Sequence, residues 1–236
     1  MILLYYSINV VALIVSVIFH ELAHGYAALY FGDDTAKNAK RLSLNPVKHL
    51  DPIGSVLLPL ILLAIRSPFL FGWAKPVPIN YSKMRNPKVN IVFVSLVGPL
   101  VNILFIILGF VCLKTVSNYI THFYSHDIFQ YYLTLTPDLK MNVLKSEHLK
   151  YYFLAAEFFI QLILINSILA FFNLIPIPPL DGSRLLIPFL SPKMEAVYYS
   201  LERYGVVLIF VLLYFNVFDS IFGFILNFFV RLIFSL

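Results

Sequence analysis

The amino-acid sequence predicts an all-α multi-pass membrane protein with about four to six transmembrane helices. The first observation is composition, because 60% of the residues are hydrophobic and only 12% are charged. Soluble domains carry about 25% charged residues, and with half of that fraction this chain would expose large apolar patches to water. The second observation is that the apolar residues form several stretches that are long enough to cross a bilayer.

Four stretches meet the requirement of about 20 mostly apolar residues for a spanning helix. The first stretch lacks a basic start and an A-x-A-like cleavage site, which favours a retained helix over a signal peptide. The last stretch is interrupted by NVFDS at residues 216–220, so it predicts either one long tilted helix or two short ones. The four stretches are Ile2–Phe31, Ile91–Leu113, Tyr151–Ile175 and Tyr204–Leu236.

A fifth apolar stretch, Ile53–Phe71, differs because Pro59 and Pro68 interrupt it and Arg66 places a charge in it. Non-helical backbone at membrane depth occurs only against protein or a water-filled cavity. The sequence therefore predicts a re-entrant hairpin after the first helix, in preference to a plain spanning helix. The chain shows no internal repeat and is expected to form a single integral-membrane domain over residues 1–236.

The single cysteine, Cys112, excludes a disulfide framework and a cysteine-rich zinc site. The net charge of +5 does not indicate nucleic-acid binding, because the basic residues lie in short loops between apolar stretches. Lys and Arg are concentrated in segments 32–52, 74–90 and 182–203, whereas the longer segment 114–150 has only four lysines, diluted by three acidic residues. The positive-inside rule then predicts an outward N-terminus, three cytoplasmic loops and an outer segment 114–150.

Residues 20–24, HELAH, match the H-E-x-x-H pattern inside the first apolar stretch. On a helix, His20 and His24 lie on one face about 6 Å apart along the axis, so both imidazoles can bind one ion. A catalytic zinc site has three protein ligands and a water molecule. Glu21 lies beside the two histidines, where it can accept a proton from that water.

The simplest alternative is a solvated helix face that contains HELAH by chance, but apolar residues flank the motif on both sides. A charged side chain at the centre of a membrane costs at least about 2.5–3.5 kcal/mol. The three ionisable residues of HELAH must therefore face a metal, a cavity or each other, and the motif favours the metal.

A third ligand is predicted in NLIPIPPLDG, residues 173–182. The prolines of this motif end the helix that begins near Tyr151, because proline lacks the backbone donor that a helix needs. The released chain can turn Asp181 towards the first helix, with Gly182 expected to allow an unusual φ/ψ combination. The alternative is that PPLDG is a polar turn without a metal.

Together, HELAH in one membrane helix and NLIPIPPLDG in a later one resemble the site-2 proteases, the intramembrane zinc metalloproteases. Three further stretches match this family: GDDTAKNAKRLSLNPVKHLDPIG at 32–54, FGWAKPVPIN at 71–80 and SLVGPLVN at 95–102. The resemblance covers most of residues 15–190. It is strongest to the short prokaryotic branch, in which the metal helix comes first and no PDZ or CBS domain is attached.

The resemblance implies a zinc-dependent intramembrane metalloendopeptidase that hydrolyses peptide bonds in or near transmembrane segments of membrane-bound proteins or peptides. In that enzyme His20, His24 and Asp181 would bind one Zn²⁺ per chain, and Glu21 would be the general base. The expected location is the cell membrane, plasma or inner, with the active site towards the cytoplasm. The expected partners are transmembrane substrates and the lipid bilayer, without nucleic acid.

The resemblance also implies roles for two asparagines. Asn173 would help to hold the scissile carbonyl or its oxyanion, and Asn102 would assist it. Without family knowledge, both are more often interhelical hydrogen-bonding residues. His49 and Asp51 lie in a matching stretch but are equally explained as a polar pair that caps a loop, so they are left out of the predicted ligand set. Gly98 and the proline that follows it are expected to allow close helix packing.

Several other polar residues receive a structural interpretation. His122 and His126 are spaced by four residues in the outer segment, but no glutamate lies between them, so they are predicted to be interfacial. Glu157 and Gln161 are expected to be interfacial or to face other helices. PVPIN at 76–80, with the hairpin, is expected to guide an extended substrate by main-chain pairing.

Three competing functions make different demands on the sequence. A metal-dependent transporter needs no base beside its ligands and typically shows repeat symmetry, which is absent here. An inactive scaffold would be expected to lose a ligand or Glu21. A membrane protease of another fold could share HELAH but would not need NLIPIPPLDG.

Overall fold

The structure is a computed structural model that describes residues 2–64, 72–124, 126–136, 139–140 and 149–236. Within these ranges the chain is α-helical without a β-strand, as the composition predicts. The described α-helices, in chain order, are α1 (Ile2–Tyr30), α2 (Thr35–Asn38), α3 (Leu58–Ala64), α4 (Pro87–Phe123), α5 (His126–Thr134), α6 (Lys150–Asn173), α7 (Asp181–Arg184), α8 (Pro192–Arg203), α9 (Gly205–Tyr214) and α10 (Asp219–Phe234).

Three helices form the centre of the bundle. Helices α1, α4 and α6 pack pairwise against one another. Among the described residues, these three are long and apolar enough to cross a membrane, and the pair α8–α9, bent by 67°, would add a fourth span. The prediction of an all-α multi-pass membrane fold is confirmed, because each long helix coincides with a predicted apolar stretch.

Helix α4 is longer than the sequence predicts. Hydropathy predicts a helix over Ile91–Leu113, whereas the helix continues to Phe123. Its last turns bury Leu113, Ser117 and Ile120 at helical spacing, and the first and last of these join the largest apolar cluster of the molecule. Helix packing therefore extends α4 into a segment that the sequence assigns to a polar loop.

The end of the bundle opposite HELAH contains a buried ion pair. Lys140 Nζ lies 3.0 Å from Oε2 of Glu157, whose side chain is fully buried in α6. The Tyr132 hydroxyl donates to the same oxygen (3.1 Å), and Gln161 Nε2 donates to the other (2.9 Å). Glu157 thus faces other parts of the bundle, one of the two expected environments, and the sequence gives no sign of its partner.

The two ends of the predicted hairpin lie next to each other and are joined by hydrogen bonds. The Trp73 backbone N–H donates to the Gly54 carbonyl (3.3 Å), and the Ser55 hydroxyl donates to the Trp73 carbonyl (2.8 Å). The chain enters this region through a π-helical stretch, Pro52–Leu57, and continues as α3. The predicted return lies at residues 65–71, outside the described residues. The contact between the two ends supports a hairpin over a spanning helix.

The C-terminal apolar stretch forms two helices, so the second of the two alternatives is correct. Helix α9 ends before a break at residues 215–218, in which Asn216 has a left-handed φ of 55°. Phe218 is buried at this break and meets Phe172 of α6 edge to face, with ring centroids 5.4 Å apart. Helix α10 then packs along α6, and α9 lies beside a cleft that is described below.

Candidate metal centre

Helix α1 carries HELAH near its C-terminal end, and helix geometry places the two histidines on one face. His20 and His24 are both buried. Their rings meet edge to face with centroids 4.6 Å apart, and their Nε2 atoms are separated by 3.1 Å. The two imidazoles therefore converge on one point, as their four-residue spacing predicts.

The chain that follows α6 brings Asp181 to the same point. Helix α6 ends at Asn173, before the three prolines, and Asp181 begins the short helix α7. Asp181 Oδ2 lies 3.0 Å from His24 Nε2 and 3.3 Å from His20 Nε2. The predicted turn of Asp181 towards the first helix is thus observed. It brings Asp181 into contact with His24, which lies 157 residues earlier in the sequence.

Gly182 is important for a different reason from the one expected. Its φ is not in the left-handed region, so the predicted unusual backbone conformation is wrong. A Cβ at this position would overlap the Leu174 carbonyl and would lie 2.8 Å from the Ile175 carbonyl oxygen. Glycine therefore allows α7 to pack directly on the end of α6, which places Asp181.

The three donor atoms have the spacing that a zinc ion requires. Donors about 2.0–2.1 Å from a tetrahedral zinc ion are about 3.3–3.4 Å from each other. The observed separations are 3.0, 3.1 and 3.3 Å. In the part of the chain that the structure describes, His20, His24 and Asp181 are the group of possible ligands with this convergence. Two imidazoles and one carboxylate fit zinc and leave one position for water.

The outer nitrogen of each histidine has a partner of its own. His24 Nδ1 donates to the Val94 carbonyl (2.6 Å), and because a carbonyl can only accept, Nε2 of His24 presents its lone pair to the candidate metal position. His20 Nδ1 lies 2.7 Å from Asn102 Oδ1. Such outer partners orient metal-binding histidines and fix their tautomers.

Gly98 lies directly against the two histidines, which its sequence interpretation as a packing residue did not predict. A Cβ added to Gly98 would overlap His24 Nε2, and it would lie 2.6 Å from His20 Cε1 and 2.7 Å from His24 Cε1. The missing side chain thus lets α4 approach the imidazoles closely enough to cover them. Gly98 belongs to the SLVGPLVN motif that the sequence analysis identified, but only the packing of α4 on α1 shows that it contacts the two histidines.

We expect Gly98→Ala to weaken zinc binding by about 10–100-fold, the range typical of changes around metal ligands. The added methyl group has no space unless one imidazole moves. The measurement is competition with a calibrated chelator on the full-length protein in detergent. Gly109→Ala is the matched control, because it lies on the same helix and its Cβ would meet the Ile163 side chain at 2.7 Å. Equal zinc affinity in both variants would contradict the prediction.

Glu21 lines the cleft beside His20, and its carboxylate is held by the main chain of the PVPIN stretch. The Val77 backbone N–H donates to Glu21 Oε2 at 2.7 Å. Val77 is itself buried, so the donor of this hydrogen bond is shielded from solvent, whereas Glu21 is only partly buried. The stretch that was expected to guide a substrate therefore also contacts the predicted general base.

Two acidic residues after α1 fix the PVPIN stretch in place. The Asn80 backbone N–H donates to Asp33 Oδ2 at 2.6 Å, and Asp33 is fully buried. Lys83 Nζ lies 2.7 Å from Asp34 Oδ1, and this hydrogen bond lowers the pKa of the Asp34 carboxyl. Because exposed ion pairs contribute little, the buried Asp33 is the main anchor of this stretch.

The cleft beside the candidate metal centre has a volume of ≈ 650 Å³ and lies between α1, the hairpin, the end of α6 and α9. This volume is in the range of pockets that bind small ligands, about 300–1,000 Å³, and it accommodates a few residues of extended peptide. Apart from a few polar groups the walls are apolar, and the lining includes Val10, Leu13, Ile14, Val17, His20, Glu21, His49, Trp73, Ala74, Phe172, Asn173, Leu180, Val206 and Ile209.

The two predicted asparagines have different surroundings. Asn173 lines the cleft and is half-buried, and its Nδ2 donates to the Leu169 carbonyl one turn earlier (2.9 Å). Asn102 is fully buried, and its amide contacts His20 Nδ1 and Asn166 Oδ1, each at 2.7 Å. Asn102 therefore lies behind His20 and does not line the cleft.

Arg184, which the sequence interpretation did not single out, lies next to Asp181. Its Nη1 is 3.9 Å from Asp181 Oδ1 and donates to the Tyr81 hydroxyl at 3.1 Å. Its Nη2 donates to Glu202 at 2.7 Å. The guanidinium thus links α7 to α8 and to the segment after PVPIN. The i,i+3 spacing of Asp181 and Arg184 in the sequence could have indicated this contact.

The remaining polar residues have structural contacts. His49 Nε2 donates to a backbone carbonyl (2.7 Å), and Asp51 Oδ1 accepts from two backbone N–H groups. These contacts agree with their exclusion from the predicted ligand set. His122 is exposed and rests edge-on against its neighbour Phe123. The side chain of His126, its predicted companion, is outside the described residues.

Comparison with known proteins identifies the family. Peptidase family M50 matches residues 8–213. The Bacillus subtilis protein named "Putative zinc metalloprotease YwhC" is 38% identical over 214 residues, which cover 89% of this chain and 83% of that protein. The Mycolicibacterium smegmatis protein named "Putative zinc metalloprotease Rip2" is 24% identical over 200 residues, which cover 85% of this chain and 64% of that protein. No solved structure matches the chain.

The matched region includes α1 with HELAH, the PVPIN stretch, α4 and the turn that carries Asp181. Its long apolar helices make the chain an integral membrane protein, and its His and Asp side chains converge with the spacing of a zinc site. The chain therefore belongs to peptidase family M50, the site-2 protease family, and is a membrane zinc metalloprotease.

Proposed function

We propose that this protein is an intramembrane endopeptidase, which hydrolyses peptide bonds in or near the transmembrane segments of membrane-bound proteins or peptides. One observation carries the proposal. Nε2 of His20, Nε2 of His24 and Oδ2 of Asp181 converge within 3.3 Å, and His20 lines an apolar cleft together with Glu21. A transport site does not require a base at that position.

The metal is one zinc ion per chain, held by the three converging donor atoms. A zinc ion supplies a Lewis acid for the peptide carbonyl and lowers the pKa of a coordinated water towards about 7. The protein holds Nε2 of each histidine ready for the ion, because the outer nitrogens are engaged by Asn102 and by the Val94 carbonyl. Arg184 limits the movement of α7 through its bonds to Glu202 and Tyr81.

Glu21 acts as the general base. It accepts a proton from the attacking water on a carboxylate oxygen and later gives this proton to the leaving amine. The hydrogen bond from Val77 to Oε2 holds the carboxylate in one orientation and leaves Oε1 for the proton. Asn173, at the cleft wall, donates to the oxyanion that forms on the scissile carbonyl, which could contribute about 3 kcal/mol.

A helical substrate must open before it can be cut, because its carbonyls are occupied by its own backbone hydrogen bonds. We therefore expect substrates with helix-weakening residues near the scissile bond, bound in extended form in the cleft. The cytoplasmic side of the cell membrane is supported by the Lys- and Arg-rich loops at 32–52, 74–90 and 182–203, which lie at the same end of the bundle as HELAH.

The experiment is cleavage of a membrane-spanning reporter by the full-length protein in liposomes. We expect one zinc per chain by elemental analysis, loss of cleavage after chelation, and recovery on addition of zinc. Mass spectrometry of the products should locate the cut in or next to the spanning segment. Cleavage that continues in the metal-free protein, or a zinc-loaded protein that transports zinc and cuts nothing, would exclude the proposal.

PVPIN guides the extended substrate by main-chain pairing in this proposal. Residues 72–80 belong to no helix or strand, and this stretch adjoins the cleft through Gly72, Trp73 and Ala74. Replacing residues 76–80 by a helix-forming sequence should abolish cleavage of the spanning reporter while zinc stays bound. Because Val77 also contacts Glu21, a short extended peptide serves as control, and its hydrolysis should continue. Unchanged cleavage of the reporter would exclude the guiding role.

A further inference from the structure

Four polar side chains from three helices form a continuous buried line behind the candidate metal centre. Ser16 and His20 lie on α1, Asn102 on α4 and Asn166 on α6. The three contacts between successive side chains, from Ser16 to Asn166, from Asn166 to Asn102 and from Asn102 to His20, are each 2.7 Å. Ser16, Asn102 and Asn166 are fully buried, so water cannot replace a missing partner. We call this line the polar ladder.

The far end of the polar ladder is anchored by backbone carbonyls, which can only accept hydrogen bonds. The Ser16 hydroxyl donates its single hydrogen to the Ala12 carbonyl (2.7 Å). Ser16 Oγ must therefore accept from Asn166 Nδ2, which also donates to the Leu162 carbonyl (2.7 Å). Both hydrogens of the Asn166 amide nitrogen are then used, and the orientation of this amide is determined.

This orientation passes to His20 one contact at a time. With its nitrogen turned to Ser16, Asn166 presents Oδ1 to Asn102, and an oxygen there requires a donor. Asn102 must offer Nδ2 to Asn166 and hence Oδ1 to His20. An acceptor at this position requires the imidazole proton on His20 Nδ1. Reversing the Asn102 amide would place two oxygens opposite each other and lose a buried hydrogen bond, so a single arrangement satisfies every contact.

We propose that Ser16 and Asn166 are positioning residues that act through Asn102 to keep the proton of His20 on Nδ1 and the lone pair of Nε2 directed at the zinc position. This inference rests on the proposed function of His20 as a zinc ligand. Neither residue touches the substrate or the metal position. Ser16 lies four residues before His20 in sequence, yet its influence passes through α6 and α4. Asn166 is 64 residues from Asn102 and 150 from Ser16.

The first measurement is zinc affinity, by chelator competition on the full-length protein in detergent. We expect Asn166→Ala to weaken zinc binding by about 10–100-fold, as outer partners of metal-binding histidines do. Ser16→Ala should act in the same direction, because the Asn166 amide then loses the acceptor that fixes its orientation. Ser167→Ala is the matched control: it is adjacent, equally buried and bonded only within α6, to the Ile163 carbonyl at 2.6 Å.

The second measurement reports the tautomer and does not involve activity. In the zinc-free, ¹⁵N-histidine-labelled protein, the His20 ring should show a protonated Nδ1, with the signal assigned from a His20→Gln sample. Asn166→Ala should give a mixture of both tautomers, whereas Ser167→Ala should resemble the unmodified protein. A merely structural role of Asn166 would lower the thermal unfolding temperature without changing this signature.

The outcomes separate this inference from the proposed function. If His24→Ala and Asp181→Ala keep full zinc affinity, the proposed zinc site itself is wrong. If those variants lose zinc while Asn166→Ala keeps both the affinity and the Nδ1–H tautomer, only the positioning role is overturned. Should Asn166→Ala fail to fold by circular dichroism, Ser16→Ala decides, and an unchanged affinity and tautomer there would overturn the inference.

Discussion

Replacing Glu21 by glutamine is expected to reduce cleavage of the spanning reporter by about 10²–10⁴-fold while zinc remains bound. The amide cannot accept a proton from water, so the base is lost. Glutamine keeps the shape of the side chain, and its Oε1 can still accept the hydrogen bond from Val77. The three metal donors are unchanged. The measurements are initial cleavage rates and zinc content of the same preparation.

The control for this variant is Asp127→Asn, which neutralises an exposed acid at the opposite end of the bundle. It should retain both zinc and full activity. Cleavage by Glu21→Gln at the unmodified rate would refute the assignment of the base. Loss of zinc together with loss of activity would show instead that Glu21 supports the metal, and it would leave the base unidentified.

Replacing Asp181 by asparagine should have the opposite effect on the metal, with loss of both zinc and cleavage. The substitution preserves volume but removes the only negatively charged atom among the three converging donors. It also removes the negative charge 3.9 Å from the Arg184 guanidinium, which keeps its ion pair with Glu202 (2.7 Å). We expect zinc affinity to fall by at least about 100-fold, beyond the effect of outer partners.

Asp51→Asn tests whether any acid near the cleft behaves in this way. Asp51 accepts two backbone hydrogen bonds at the start of the hairpin, and asparagine can accept the same bonds. This variant should therefore keep zinc and activity. If Asp181→Asn binds zinc as tightly as Asp51→Asn, the aspartate is not a ligand. The contrast between Glu21→Gln and Asp181→Asn separates the loss of the base from the loss of the metal.

Local sequence features accounted for the parts of the fold that follow from one segment at a time. Composition and hydropathy predict the apolar helices, because burying about 20 apolar residues in lipid requires no partner. The spacing of His20 and His24 predicts their convergence, because both lie on one helix. The prolines after Asn173 predict the end of α6, since proline cannot continue a helix. Each of these inferences needs only neighbouring residues.

The same local reasoning was less successful where packing decides. It ended α4 ten residues early, because the final turns are stabilised by contacts with α5 and α6 that hydropathy does not record. It assigned Gly182 an unusual φ, whereas the glycine is needed for close approach to the end of α6. For Asn102, the family resemblance implies an assisting role at the substrate, which stays a prediction. The structure places this residue behind His20 with hydrogen bonds to α1 and α6, the interhelical role expected from the residue alone.

The sequence by itself therefore determined the membrane class, the helix that carries HELAH and the residue types that are predicted to bind zinc. Only the tertiary structure decided which residues surround His20, His24 and Asp181. Gly98 lies against both imidazoles, Arg184 lies beside Asp181, and Asn166 with Ser16 forms the end of the polar ladder. The physical reason is that these contacts depend on how three helices rotate and slide against one another. A rotation of one residue, about 100°, would turn Asn102 or Asn166 towards lipid while every local pattern stayed the same.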